Sequence, residues 1–368
     1  MKLEWSEKSK YNSFNSWKGL LFAPLYEQIA NRHIPVPIEA RIDPTLKCPL
    51  SCSWCNSAKY RHNLDEMSYE HIVDLLTFLS DWGVKAVCWA GGGEPTYHPR
   101  FTDALIRNRL CDMEAGILSN GVYNNPETAE VIGEACRWAG ISVDAANTNT
   151  YYRAKVGGTS IGTGVTLFDK VLANIRRIVK HSIDCEVSYK FLISPDNQFE
   201  IYDACKIAAD IGCASFVARP MDIGHQGMAK HGVGLEEFSV KHIHEQFERC
   251  HELERYDFRV FTVTHKFEPN FGTSRKFTNC YGAPLKIHCA PDGNCYFCDD
   301  QFYNPEYVIG SHNTPTDILK FWGSEEHKQL VYGETPKKCT TRCCVGDYCE
   351  QCEQLFINND DPMFRNFP

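Results

Sequence analysis

Ile72, Leu75, Leu76 and Leu79 recur at helical spacing while Asp74 and Asp81 fall on the other side, a pattern that predicts an amphipathic helix over Tyr69–Trp82. Similar stretches at Arg100–Arg109, Pro126–Ala139, Leu167–His181 and Gln198–Ile211 read as further helices. They alternate with short apolar runs that read as strands, at Ile38–Ile42, Lys85–Ala90, Glu114–Leu118, Ile141–Asp144, Cys185–Ile193 and Ser215–Arg219. Six strands, each followed by a helix, imply a parallel sheet with helices on its outside. The expectation is an α/β fold, a partial (β/α)6 TIM-like barrel with its chemistry at the strands' C-terminal edge. An open doubly wound sheet satisfies the same pattern.

After about residue 225 the alternation stops. Gly224–Gly227 reads as a loop and Leu235–Glu254 as a charged helix, and the remainder is turn-rich and dense in cysteine. Such a region is expected to rely on metal where its apolar core is thin. The predicted division is an N-terminal extension at 1–36 with a helix around Trp17–Arg32, a barrel at 37–225, a helical linker at 226–270, and a small cysteine-rich domain at 271–368. The tail from Asn358 reads as a loose terminus or surface arm.

Composition narrows the setting. The 368 residues are long enough for one large core plus a smaller unit. A net charge of −9 gives no general attraction to nucleic acid or anionic lipid. The opening MKLEWSEKSK lacks the apolar stretch of a signal peptide, and no run reaches membrane-spanning length. Nineteen cysteines, an odd number, therefore point to reduced thiols and metal in a cytoplasmic setting. Cys88, Cys111, Cys136, Cys185, Cys205, Cys213 and Cys250 are scattered, mostly among apolar neighbours, and read as small core residues.

Cys48, Cys52 and Cys55 lie in C-P-L-S-C-S-W-C, directly after the first strand. One short loop can aim three such thiolates at one point, which suits an iron–sulfur cluster or zinc. A cubane cluster on three cysteines leaves one iron open to a non-protein ligand. The second strand runs into Gly91-Gly92-Gly93-Glu94-Pro95, where glycines permit close backbone approach and a carboxylate can hold an ammonium group. Ser119-Asn120-Gly121 ends the third strand, and Ser142-Val143-Asp144 the fourth. All four signals fall at the same edge.

In that combination, from about 37 to 220, the sequence resembles the radical S-adenosylmethionine (radical SAM) superfamily. The resemblance implies a [4Fe–4S] cluster on Cys48, Cys52 and Cys55, its open iron chelated by S-adenosylmethionine. Gly92, Gly93 and Glu94 match the segment that cradles the methionine amino group. Ser119, Asn120, Ser142 and Asp144 match positions near the ribose and sulfonium. It also implies cleavage to a 5′-deoxyadenosyl radical, driven by an external one-electron reductant of flavodoxin or ferredoxin type.

Cys280, twelve residues, Gly293, four residues and Cys298 resemble the auxiliary-cluster domains called SPASM or, in shorter form, twitch. That likeness implies an auxiliary [4Fe–4S] cluster on Cys280, Cys298, Cys349 and Cys352. The full two-cluster spacing is not met: Cys339-x3-Cys343-x5-Cys349-x2-Cys352 carries an inserted Cys344 and no later cysteine. Cys289, Cys295, Cys339, Cys343 and Cys344 remain for a second auxiliary cluster, for zinc, or as free thiols. In sulfatase-maturing relatives an aspartate at the position of Asp299 matches a catalytic base; a solvated turn is the other reading. Lys190, Arg219, Asp222 and Arg153 sit on or beyond strands where substrate could reach them; a surface or salt-bridged role is the other reading.

The first expectation for substrate is a polar small molecule such as a sugar, aminocyclitol or nucleoside, because only 36 residues precede the barrel and a leader-binding module would need more. The alternative is maturation of a peptide or protein side chain, of ribosomal-peptide or sulfatase type. Modification of a nucleotide in nucleic acid is a third reading, and the net charge argues against it.

Overall fold

The computed structural model describes residues 16–63, 65–123, 125–157, 164–223, 232–268, 277–333, 343 and 345–357. Its centre is one ten-stranded sheet. Strands β1 (Glu39–Ile42), β2 (Ala86–Trp89), β3 (Glu114–Ser119), β4 (Trp138–Ser142), β5 (Glu186–Ile193), β6 (Ser215–Pro220) and β7 (Arg259–Thr262) lie side by side in chain order, all parallel. On the other side of β1, β8 (Lys286–Cys289) adds a further parallel strand, followed by antiparallel β9 (Asn294–Tyr296) and β10 (Val308–Ser311). The cysteine-rich part thus shares its backbone ladder with the barrel. A seventh parallel strand, β7, lies within the segment read as a helical linker.

Crossover helices cover one face of this sheet. After α1 (Ala23–Ala30), which precedes β1 and lies outside the barrel, they are α2 (Tyr69–Trp82), α3 (Phe101–Leu110), α4 (Glu127–Ala135), the short α5 (Thr148–Tyr151), α6 (Leu167–His181), α7 (Ile201–Asp210) and α8 (Val240–His251). Helix α2 shows why local sequence suffices here. Ser68 caps it by accepting from the His71 N–H at 3.1 Å, and Gly83 ends it at φ 108°. Its Ile72, Leu75, Leu76 and Leu79 are fully buried, each stabilising by roughly 1.5–3 kcal/mol. They meet Ala40, Ile42, Val87 and Trp89, alternate residues on the helix-facing side of β1 and β2.

The opposite face is more polar. Arg41, Cys88, Gly116 and Trp138 align across β1 to β4. Trp138 corrects a boundary: the chain leaves α4 at Ala135, and β4 starts at Trp138, inside the stretch expected to be helical. Gly116 is the cause, since any Cβ there would collide with the Trp138 ring that packs over it. The helix expected around Trp17–Arg32 is a 3-10 turn, Ser16–Phe22, before α1, whose first turn holds Pro24. Tyr26, Ile29 and Ile34 form a second core with Cys280, Tyr281, Leu285, Phe297 and Val331. The N-terminal segment is therefore a brace for the cysteine-rich region. The loop expected at Gly224–Gly227 and the tail from Asn358 lie outside the described residues.

Candidate functional site

The cysteine loop leaves β1 and is stitched to its surroundings by backbone bonds. Ser51 N–H donates to Lys155 O (2.9 Å), Ser53 N–H to Ala154 O (3.3 Å), and Glu94 N–H to Lys47 O (2.9 Å). Cys55 N–H donates to Cys52 O (3.1 Å), a tight turn that brings the last two thiols to one side. Arg61 spans the site, donating to Cys55 Sγ (2.8 Å), Gly92 O (2.8 Å) and Leu50 O (3.1 Å). Burial raises the Cys48 and Cys52 thiols, while Arg61 acts on the first and Lys155 on the second to favour the thiolate. The three thiols lie close enough to repel one another as thiolates. Among the described residues, no three His, Cys, Asp or Glu side chains close tightly around a single ion. Three half-buried sulfurs with two cations beside them are nonetheless the donor chemistry that an anionic iron–sulfur cluster requires.

At the end of β2, Gly92 N–H donates to Asp43 (2.6 Å), and a Cβ on Gly93 would meet the backbone of Thr45, Leu46 and Lys47. Glu94 is buried, and its carboxylate already accepts from Ser119 Oγ (2.7 Å), Asn120 N–H (2.7 Å) and Thr96 Oγ1 (2.8 Å). These bonds lock the end of β2 to the end of β3. Asn120 Nδ2 lies 3.7 Å from Cys48 Sγ, which joins that strand end to the cysteine loop.

Ser142 and Asp144 separate. Ser142 stays on the polar face of β4. Asp144 turns inward at φ 59°, accepts from Leu192 N–H (2.6 Å), and forms a buried ion pair with Lys155. Lys155 also lies 5.8 Å from the centre of the Trp54 ring. Asp144 thus anchors the cation that faces Cys52. Arg153 donates to Thr150 Oγ1 (3.2 Å) on α5.

In the C-terminal region Cys280, Cys298, Cys343 and Cys349 gather. Cys349 hydrogen-bonds Cys280 and accepts from Gly282 N–H (3.2 Å). Burial raises the Cys343 and Cys298 thiols, and Cys280 adds to both. Cys352 turns away, its Sγ 3.9 Å from Tyr26 O. Cys352 follows Cys349 by three positions on the helix Gly346–Cys352 and packs with Tyr26 in the N-terminal brace. Cys289 and Cys295 pair across β8 and β9 with sulfurs 3.8 Å apart, fully buried. Cys339 and Cys344 lie outside the described residues.

Asp299 is held by Arg41 (2.7 Å), His288 (3.2 Å) and Lys286 (3.9 Å). Burial alone would raise its carboxyl, yet His288, Lys286 and Arg41 together hold it well below the usual range. A carboxylate so stabilised is a weak base, and the arrangement is that of a clamp between β1, β8 and the turn after Cys298. Arg61, Lys155, Asp43 and Tyr303, whose hydroxyl bonds Asp43, were not singled out by the motifs. Each lies in a loop or helix without periodic signal, and only long-range contacts reveal it.

Residues 42–208 match the family described as the Radical SAM superfamily. The chain is 24% identical over 345 residues to the antilisterial bacteriocin subtilosin biosynthesis protein AlbA of Bacillus subtilis (strain 168), covering 90% of this chain and 70% of that protein. It is 24% identical over 215 residues to the sporulation killing factor maturation protein SkfB of the same organism, covering 58% and 49% respectively. Among solved structures, Streptococcus suis SuiB bound to precursor peptide SuiA superposes with a TM-score of 0.60 at 14% identity, covering 85% of this chain and 71% of that one. At that identity the likeness concerns the fold. The matched segment opens at the end of β1 and closes in α7, embracing the cysteine loop and the glycine cradle alike, and residues 42–208 are accordingly a radical SAM domain, the catalytic unit of an enzyme that uses a [4Fe–4S] cluster and S-adenosylmethionine.

Proposed function

We propose that this enzyme matures a peptide or protein side chain, in place of the polar small molecule that the sequence first suggested. The observation that carries this reading is the alignment with AlbA, named for bacteriocin biosynthesis, over 90% of the chain. SkfB, named for maturation of a killing factor, and SuiB in complex with a precursor peptide support it. When bound, the cluster and S-adenosylmethionine supply a 5′-deoxyadenosyl radical that takes hydrogen from a C–H bond.

In this reading Cys48, Cys52 and Cys55 hold the first cluster, with Arg61 and Lys155 offsetting its negative charge. The backbone of Gly92 and Gly93 receives the methionine end, and Glu94, Ser119 and Asn120 keep that edge rigid. Ser142 faces the nucleoside side. Cys280, Cys298, Cys343 and Cys349 hold the auxiliary cluster, beside the Asp299 clamp. An external flavodoxin- or ferredoxin-type donor supplies electrons in a reducing cytoplasm. No helix among the described residues is long and apolar enough to cross a membrane.

The test is anaerobic incubation of the reconstituted enzyme with S-adenosylmethionine, a reductant and a precursor peptide encoded beside its gene. A change in peptide mass, matched by 5′-deoxyadenosine, is expected. Turnover of sugars or nucleosides, with no peptide modified, would overturn the reading.

A further inference from the structure

Tyr303 stands in the turn between β9 and β10, and its backbone lies at φ 67°, a left-handed conformation that a bulky residue rarely adopts. Such an outlier persists where its surroundings enforce it. Here they are aromatic. The Tyr303 ring packs 4.4 Å from Phe302, 5.4 Å from Tyr60 and 5.6 Å from Tyr296, centre to centre. Leu46, just ahead of Cys48, belongs to the same buried cluster. From this seat the Tyr303 hydroxyl donates to Asp43, the residue that follows β1. Asp43 is fully buried and accepts on the same oxygen from Gly92 N–H (2.6 Å). The Gly92 carbonyl in turn accepts from Arg61 (2.8 Å), so this glycine is held at both its N–H and its C=O.

The packing is equally tight. A Cβ on Gly91 would strike the Asp43 carboxylate, and one on Gly92 would lie 2.7 Å from the Tyr303 ring. Burial pushes the Asp43 carboxyl up to about 7, while the Tyr303 hydroxyl, the Gly92 N–H and the Arg41 charge favour its ionised form. An ionised Asp43 is the stronger acceptor for Gly92, so the Tyr303 hydroxyl acts on the glycine through the carboxylate.

We propose that Tyr303 and Asp43 are positioning residues for S-adenosylmethionine: through this pair the cysteine-rich region fixes the Gly92 backbone that receives the methionine end. This rests on the reading of Gly92 and Gly93 as that cradle. Both side chains act through the glycine. A backbone fixed in advance loses little freedom when the ligand arrives, so loosening Gly92 weakens binding more than it slows the chemical step.

The experiment uses the full chain with its clusters reconstituted without air. Affinity for S-adenosylmethionine is measured by isothermal titration. KM and kcat come from 5′-deoxyadenosine released with dithionite, which needs no second substrate. Tyr303→Phe keeps the ring over Gly92 and removes only the hydroxyl, whereas Asp43→Asn removes the charge. Each is expected to weaken binding about tenfold, with the loss in KM rather than in kcat at saturation and with iron content kept. The double variant Asp43→Asn/Tyr303→Phe should lose no more than either alone, because the pair acts as one unit. It also leaves no buried charge unpaired, so it serves where a single variant folds poorly. In ligand-free protein, hydrogen exchange of the Gly92 amide should quicken in all three. Wild-type affinity in Tyr303→Phe and in the double variant, with Gly93→Ala impaired, would overturn the pair and leave the cradle. Wild-type affinity in every variant, Gly93→Ala included, would overturn the cradle and the pair together. A loss of iron or kcat in step with affinity would make the pair mere scaffold, and it too would overturn the proposal.

Discussion

His71 Nε2 lies 2.8 Å from His312 Nδ1, and this bond fastens helix α2 of the barrel to the turn after β10. His312 Nε2 also pairs with Ala290 O at 2.9 Å, so it carries the proton there and its Nδ1 accepts from His71. The His312 ring must be neutral for this arrangement, because its Nδ1 has to accept. Burial pulls His312 down to about 4. The unfolded chain takes up the proton first, so this contribution to stability is present above about pH 6.5 and is lost as pH falls toward 4. The shift corresponds to about 3 kcal/mol at most. Tm measured from pH 7.5 to 4.5 should fall, and His312→Gln should flatten that slope; an unchanged slope would refute the neutral His312.

Cys48→Ala is expected to abolish 5′-deoxyadenosine formation. Two thiolates beside Arg61 and Lys155 cannot hold a cubane whose open iron is presented in a defined direction. Product analysis and iron quantitation of anaerobic protein check this. Full-rate deoxyadenosine formation by the variant would contradict the assignment.

The auxiliary cluster distinguishes two neighbouring cysteines. Cys343→Ala should lower iron by about four per chain, the content of one cubane, and alter the reduced-state EPR spectrum. Cys352→Ala should keep both, at a modest loss in Tm, because Cys352 packs against Tyr26. The reverse pattern would return the ligand set to the one that spacing alone suggests.

Gly93→Ala tests the glycine cradle. The added Cβ runs into the backbone of Thr45, Leu46 and Lys47, which cannot yield as a flexible side chain does. Isothermal titration should show S-adenosylmethionine affinity falling about tenfold or more, roughly 1.4 kcal/mol. Gly157→Ala is the comparison: it meets nothing within 4 Å and carries only the strain of φ 78°. Equal losses in the two variants would remove the cradle from its role.

Much of the site was legible because it is written locally. The cysteine triplet, the glycine run and the strand-end polar residues each lie within a few positions, and the strand–helix alternation places them at one edge. Helices α2 and α6 match their predicted bounds since each has its own cap, Ser68 for the first and Thr166 with Asp169 for the second. Where the reading slipped, the deciding partner was distant. Trp138 belongs to a strand because Gly116 leaves room for its ring. Glu94 and Asp144 also make contacts that their motifs do not reveal, with Ser119, Asn120 and Lys155.

The sequence by itself determined the fold class and the radical SAM resemblance, because periodicity, capping and motif spacing are short-range properties of the chain. Only the tertiary structure decided which thiols meet in the C-terminal region and that Asp299 is clamped by Arg41. Arg41 and Asp299 are 258 residues apart. Contacts of that separation depend on strand register and sheet order, and a buried charge is compensated or left open by whatever the fold brings beside it.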